Sequence, residues 1–355
     1  MKLFTIGPVE MYPETLDMGK KQLPYFRTTE FSEMMLENEM LLKESIHAPK
    51  ESKVIFLTAS GTAAMEAAVI NCFTADDRLL VIQGGSFGRR FGEICRIHKI
   101  PFDELALPFG ETLTKDKLAP YRKKDYSGLL VNLNETSTGQ LYNIEILSEF
   151  CKCNDMYLIV DAIGAYGADP IDFERHGIDE LIVSSQKALS LAPGAAMVVV
   201  SERIYQERVI PVESGSLYLD FKQHIDNMKR GQTPFTPAIG IFLGLNQRLK
   251  QIQSAGMTQM IHNVHKLSCR FRQEALKNKF QIPKYPLSNA LTPIILESHA
   301  EKMYQTLKEN YDFVVTPNGG ALKETLIRVG HLGNVKWEDY EKLLKAMDEV
   351  RKRFL

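Results

Sequence analysis

The chain has 355 residues, 44% hydrophobic and 25% charged, enough to bury a large core and to divide into two domains. Its 43 Lys and Arg stand against 44 Asp and Glu, a formal net charge of −1, so bulk electrostatics gives no reason to expect nucleic acid as a partner. No run approaches the ~18 apolar residues of a membrane span, the opening MKLFTIGPVE is too weakly apolar for a signal peptide, and Cys72, Cys95, Cys151, Cys153 and Cys269 include no CxxC pair; no membrane, no disulfide framework and no metal are expected, and the protein reads as cytoplasmic.

In chain order, apolar β-rich runs alternate with helical patterns: VIFLT (54–58), LLVIQ (79–83), LLVNL (129–133), YLIVD (157–161), LIVSS (181–185) and AMVVV (196–200). Near-continuous hydrophobic runs mark strands covered on both faces, which predicts an α/β fold with a mostly parallel central sheet sandwiched by helices. About ten residues separate the last two runs, fewer than the dozen or more that a parallel crossover needs, so AMVVV is expected to return antiparallel. NIEILSEFCKCN reads as a helix in which Cys151 and Cys153 point in different directions and are structural.

Segment 211–237 is rich in turn residues and ends in TPFTP. A long helical stretch from about Ala238 to Lys279 leads to a smaller α+β unit, with strands at LTPIILE (291–297), FVVTP (313–317) and TLIRV (325–329) and a helix near 299–310. In the last helix Trp337, Tyr340, Leu343, Leu344, Met347 and Val350 recur at core-facing spacing. The expected division is a large domain over 1–245, to whose site the N-terminal segment contributes, and a small C-terminal domain over 246–355.

Ligands of open α/β sheets bind outside the carboxyl ends of the strands. The first run leads into TASGTAAMEAAV, where Ser60, Gly61 and Thr62 open an Ala-rich helix and offer backbone N–H groups, hydroxyls and a dipole to an anion. Neither a P-loop nor a G-x-G-x-x-G is present. The second run ends in QGGSFGRRFG, whose glycines bracket Phe87, an aromatic suited to stacking on a flat ring. The third ends in NLNETSTGQ, dense in hydrogen-bonding side chains. The fourth ends in Asp161, a strand-tip acid that needs a partner, and the fifth in Gln186-Lys187. These ends together ask for an anionic group, a flat ring, a basic ring nitrogen for Asp161 and an aldehyde for Lys187. Pyridoxal 5'-phosphate has all four.

The ordered set GPV, SGTAAMEAA, GGSFGRR, NETSTG, LIVDAIGAYG, SSQKAL, TPFTPAIG and IRVGHLG resembles the class V aminotransferases of the fold-type I pyridoxal-phosphate enzymes, in particular the alanine–glyoxylate, serine–pyruvate and 2-aminoethylphosphonate transaminases. The resemblance runs from about Ile6 to Gly333. It implies that Lys187 carries the cofactor as a Schiff base, that Asp161 pairs with the ring nitrogen and that Phe87 stacks on the ring. It further implies that Ser60, Gly61, Thr62 and Gln186 hold the phosphate and that Thr136 bonds near the phenolic oxygen. Arg328, whose strand is expected to bring it out at an edge just before the flexible Gly330 and Gly333, would take the substrate carboxylate, with Gly7 also at the substrate, and a threonine of TPFTP, Thr236 or Thr233, would reach the phosphate of the neighbouring subunit in a homodimer. The stacking residue, often Trp or Tyr in the family, is Phe here, and a His often seen before the acidic motif is replaced by Asn132 and Asn134 nearby.

The implied activity is transamination between a small amino donor (alanine, serine or 2-aminoethylphosphonate-like) and a small 2-oxo acid (pyruvate or glyoxylate). Two alternatives fit the sequence less well. A lyase or cysteine desulfurase on the same scaffold is less consistent with the sequence, because a desulfurase needs a mobile cysteine near the site and no cysteine follows Cys269. A non-catalytic cofactor-binding protein has no need of the Lys187–Asp161 pair.

Overall fold

The computed structural model describes residues 1–354. Strands β1 (Lys53–Leu57), β2 (Leu79–Gln83), β3 (Phe102–Ala106), β4 (Gly128–Asn132), β5 (Tyr157–Asp161), β6 (Glu180–Ser184) and β7 (Ala196–Val200) make one sheet in the order β1-β7-β6-β5-β4-β2-β3. Every neighbouring pair is parallel except those of β7, which runs antiparallel to both β1 and β6, the return expected from the short connection before it. Sequence periodicity missed β3. Its FDELA is half exposed at the sheet edge, so it never needed a continuous apolar run.

Successive residues of each inner strand feed opposite faces. Phe56, Leu80, Val131, Val160 and Val183 enter one core, whereas Leu57, Val81, Leu130, Ile159 and Ile182 enter the other. Each such side chain contributes about 1.5–3 kcal/mol on full burial, so the sheet is held from both sides. Register then fixes the site. Asn132 pairs with Asp161, and Leu57 and Ser184 both stand opposite Ala196, so the carboxyl ends of β1, β4, β5 and β6 meet along one edge.

The principal helices are α1 (Thr29–Ser45), α2 (Gly61–Ile70), α3 (Ser86–Ile97), α4 (Ile239–Ala255), α5 (Met257–Lys277), α6 (Ala300–Tyr311) and α7 (Trp337–Phe354). The continuous helix expected over 238–279 is broken at Gly256, whose φ of +86° lies in the left-handed region that favours glycine. On α4, Leu245, Leu249 and Ile252 still belong to the core of the large unit. No helix among the described residues is long and apolar enough to cross a membrane.

The C-terminal unit carries a three-stranded antiparallel sheet, β8 (Leu291–Ile295), β9 (Thr316–Pro317) and β10 (Leu326–Gly330), in the order β8-β10-β9. Tyr340, Leu343, Met347 and Val350 of α7 are fully buried beneath it. Two expectations are corrected here. The FVVTP strand is two short ones, and Phe313–Val314 pairs in parallel with Lys2–Leu3, which brings Phe4 into the core of the C-terminal unit. Arg328 lies on the central strand β10, not at an edge, and Gly330 is no loose hinge: its N–H bonds the Phe4 carbonyl at 2.7 Å and a Cβ there would stand 2.3 Å from the Thr5 oxygen.

Candidate active site

Lys187 follows β6 in a turn closed by backbone and side-chain bonds: Ser185 N–H to the Ala195 carbonyl (2.9 Å), Ser190 N–H to the Lys187 carbonyl (2.8 Å) and Ser185 Oγ to the Ala192 carbonyl (2.7 Å). The N-terminal segment leans on this turn, with the Val9 N–H donated to the Gln186 carbonyl and Gly7 packed on the lysine itself. Burial pulls the amine down to about 8 against the attraction of Asp161, and the charge of Arg328 adds to the fall. A lysine so placed has a sizeable neutral fraction near neutrality, which nucleophilic attack on an aldehyde requires.

Asp161 ends β5, 6% exposed, one carboxylate oxygen accepting the Ile163 N–H at 2.8 Å. Burial raises it to about 6, opposed by that N–H and by Lys187. Its second oxygen has no hydrogen-bond partner among the described residues. A protonated ring nitrogen would supply the missing donor and charge.

The start of α2 forms a cup beside it. Ser60 occupies the N-cap position in extended backbone, yet its side chain makes no capping bond, so the hydroxyl and the first helical N–H groups remain available to an anion. Gly61 is buried, and a Cβ there would meet the Ile163 Cδ1 at 2.3 Å. Thr62 is exposed, its hydroxyl accepting from Arg90 at 2.9 Å, and the Arg90 guanidinium lies 5.0 Å from the centre of the Phe87 ring. Phe87 is half-buried at the start of α3.

Glu135 holds Phe87 in place and was not among the residues singled out from sequence. Wholly buried, its carboxylate accepts N–H groups from Phe87 (3.4 Å), Gly88 (2.9 Å) and Ser137 (3.1 Å) and the Asn132 amide (2.9 Å). The N-cap of α3 is Gly85, which has no side chain to offer, so a carboxylate from the neighbouring loop caps the helix instead. The only sequence signal was an acid inside a run of Asn, Thr and Ser.

Thr136 is buried, and its carbonyl accepts from Arg328 Nη1 at 2.7 Å; Nη2 donates to the Pro317 carbonyl at 2.6 Å, while the buried Nε has no partner. Burial lowers Arg328 to about 10, against the pull of Glu135. The structure thus brings Lys187, Asp161, Gly7, Arg328, Thr136, Phe87 and the Ser60–Thr62 cup to one sheet edge. Thr233 is buried and bonds the Phe235 carbonyl, whereas Thr236 is exposed.

These residues fit pyridoxal phosphate: an amine lowered toward neutrality, a strand-end acid with one oxygen that no described residue bonds, an uncapped helix start, and buried Ser184 Oγ and Arg328 Nε without partners. The chain matches a family model described as Aminotransferase class-V over residues 24–291. It is 30% identical to a Synechococcus sp. protein named soluble hydrogenase, small subunit, across 97% of this chain and 91% of that one. It is 28% identical to a 2-aminoethylphosphonate–pyruvate transaminase of Phocaeicola vulgatus, covering 84% of each. Among solved structures it resembles an aspartate aminotransferase of subgroup IV from Thermus thermophilus, with a TM-score of 0.91, 26% identity and all of both chains covered.

Proposed function

Given that the chain belongs to the class-V aminotransferases and is a pyridoxal-phosphate-dependent aminotransferase, we propose that it moves an amino group between a small amino donor (alanine, serine or 2-aminoethylphosphonate-like) and a small 2-oxo acid, pyruvate or glyoxylate. The observation that carries this reading is the buried Arg328 close enough to Lys187 to influence its charge. An arginine fork suits a carboxylate in two-point contact, and a substrate carboxylate held there would sit beside the lysine.

When bound, the cofactor supplies an aldehyde for amines and a conjugated ring that accepts an electron pair from the substrate α-carbon. The chain's residues do the rest. Asp161 would pair with the ring nitrogen and favour its protonated form, and the α2 start, with Ser60, Gly61, Thr62 and Gln186, would hold the phosphate. Phe87, fixed by Glu135, would stack on the ring. The Lys187 amine would be the base that takes the substrate α-proton and gives it back during the transfer.

The proposal includes a cytoplasmic homodimer with the site at its interface. Exposed Leu23, Tyr25, Leu217 and Tyr218 support it, as does Thr236, whose exposed hydroxyl has no hydrogen-bond partner among the described residues. All five cysteines are free, in keeping with a reducing compartment. The test is the half-reaction. Alanine, serine or 2-aminoethylphosphonate should bleach the visible band of the loaded protein, and pyruvate or glyoxylate should restore it. If none of the donors bleaches it, the substrate assignment falls.

A further inference from the structure

A cavity of about 670 Å³ beside the site is walled by Arg89 and Arg328, by the hydroxyls of Ser86, Ser137 and Thr138, and by Asn318, with no carboxylate on its lining. It touches the cofactor cradle through Phe87 but includes none of Asp161, Ser60, Thr62 or Gln186, so it is space for something other than the cofactor. Its volume is that of an ordinary small-molecule site and exceeds what a three-carbon acid fills.

Most of its polar groups are already committed. Ser137 Oγ accepts the Ser86 N–H and donates to Glu135, Thr138 Oγ1 donates to the Glu135 carbonyl at 3.3 Å, and the Asn318 amide donates to the Ser137 carbonyl at 2.8 Å. The arginines keep donors to spare. Arg328, nine-tenths buried, gives one N–H from Nη1 to the Thr136 carbonyl and one from Nη2 to the Pro317 carbonyl, and its Nε has no partner; the guanidinium of the exposed Arg89 makes no hydrogen bond, ion pair or ring contact among the described residues. Neither donates to a carboxylate, and two cations lining one cavity favour an anion there. Between them the wall is apolar, with Leu107, Phe109 and Leu322, which suits a methylene chain joining two charged ends.

We propose that this cavity is a side-chain subsite for a dicarboxylic amino acid or its 2-oxo acid, the α-carboxylate on Arg328 and the second carboxylate on Arg89. The inference rests on the transaminase reading and deepens it: one of the two half-reactions uses an acidic substrate, the other a small one.

Two measurements on the loaded wild-type protein and on Arg89→Gln test it. Calorimetry with the unreactive pair glutarate and butyrate reads binding without turnover, and the half-reaction gives kcat/KM for glutamate, aspartate and alanine. Wild type should bind glutarate about tenfold or more tighter than butyrate, as a charge-assisted bond predicts. Arg89→Gln should erase most of that preference and lower the glutamate-to-alanine ratio of kcat/KM by a similar factor. Equal losses for alanine and glutamate, or no glutarate preference in wild type, overturn the proposal. So does an oligomer that dissociates on light scattering with the glutarate preference intact, because Arg89 would then be an interface residue. Failure of every donor to bleach the visible band while glutarate still binds preferentially would instead sink the transaminase substrate assignment and leave the anion subsite standing.

Discussion

Replacing Gly7 by alanine puts a methyl carbon 2.7 Å from both Cδ and Cε of Lys187 and 3.0 Å from its Nζ. Unbonded carbons settle about 3.5–4.0 Å apart, so the lysine end must retreat by about 1 Å. The retreat costs little in stability, because the obstructing atoms are the far end of a flexible chain, Gly7 is exposed and its φ is outside the left-handed region. The cost falls on the chemistry: about 1 Å of misplacement of a reacting group is worth on the order of 10²-fold in rate. The expected result for Gly7→Ala is a half-reaction with alanine slowed about a hundredfold by stopped-flow absorbance, with a thermal midpoint close to wild type. A wild-type rate would refute the placement of Lys187 Nζ against Gly7. A rate loss that merely tracks a collapsed thermal midpoint would show that Gly7 serves the fold instead.

Asp161→Ala should fold and retain some cofactor yet lose roughly 10²–10³-fold in turnover, the scale of removing one preorganised electrostatic partner, with Asp161→Glu recovering part of it; unchanged turnover in Asp161→Ala refutes its role. Arg328→Lys should weaken amino-acid use by about 10–100-fold, since a point charge replaces a planar fork, and should also lower the thermal midpoint because the Thr136 and Pro317 carbonyls lose their shared partner; full activity with alanine would move the carboxylate site elsewhere. The pH dependence follows from Lys187, whose amine is held below the usual lysine range, at about 8. The neutral, reactive form grows as pH rises through that value, so capture of pyridoxal phosphate by the cofactor-free protein should accelerate from pH 6 to 9, and a flat profile would show that the amine is not so lowered.

Strands buried on both faces announced themselves, because burial of both faces forces every residue to be apolar; β4 through β7 are wholly buried and were all legible. The half-exposed edge strand Phe102–Ala106 obeys no such constraint and passed unseen. Gly256 falls inside the stretch 238–279 expected to be helical, whereas its backbone ends one helix and opens the next. The strand-end lysine, acid and polar turn were legible because chemistry left unusual residues where apolar ones would serve packing better. Glu135 escaped, since its work is to accept N–H groups from α3, a partner 47 residues away in sequence. Arg328 was found as a cation but misplaced at an edge, because the pairing that makes its strand central comes from Thr316–Pro317, too short to show a period.

The account stands most directly on which lysine carries the cofactor. Borohydride reduction of the loaded protein followed by peptide mapping should fix the pyridoxyl group on Lys187 alone, within the SSQKALSLAPG turn, and Lys187→Ala should yield no fixed cofactor. A reduced adduct on any other lysine, or one that survives in Lys187→Ala, would contradict it.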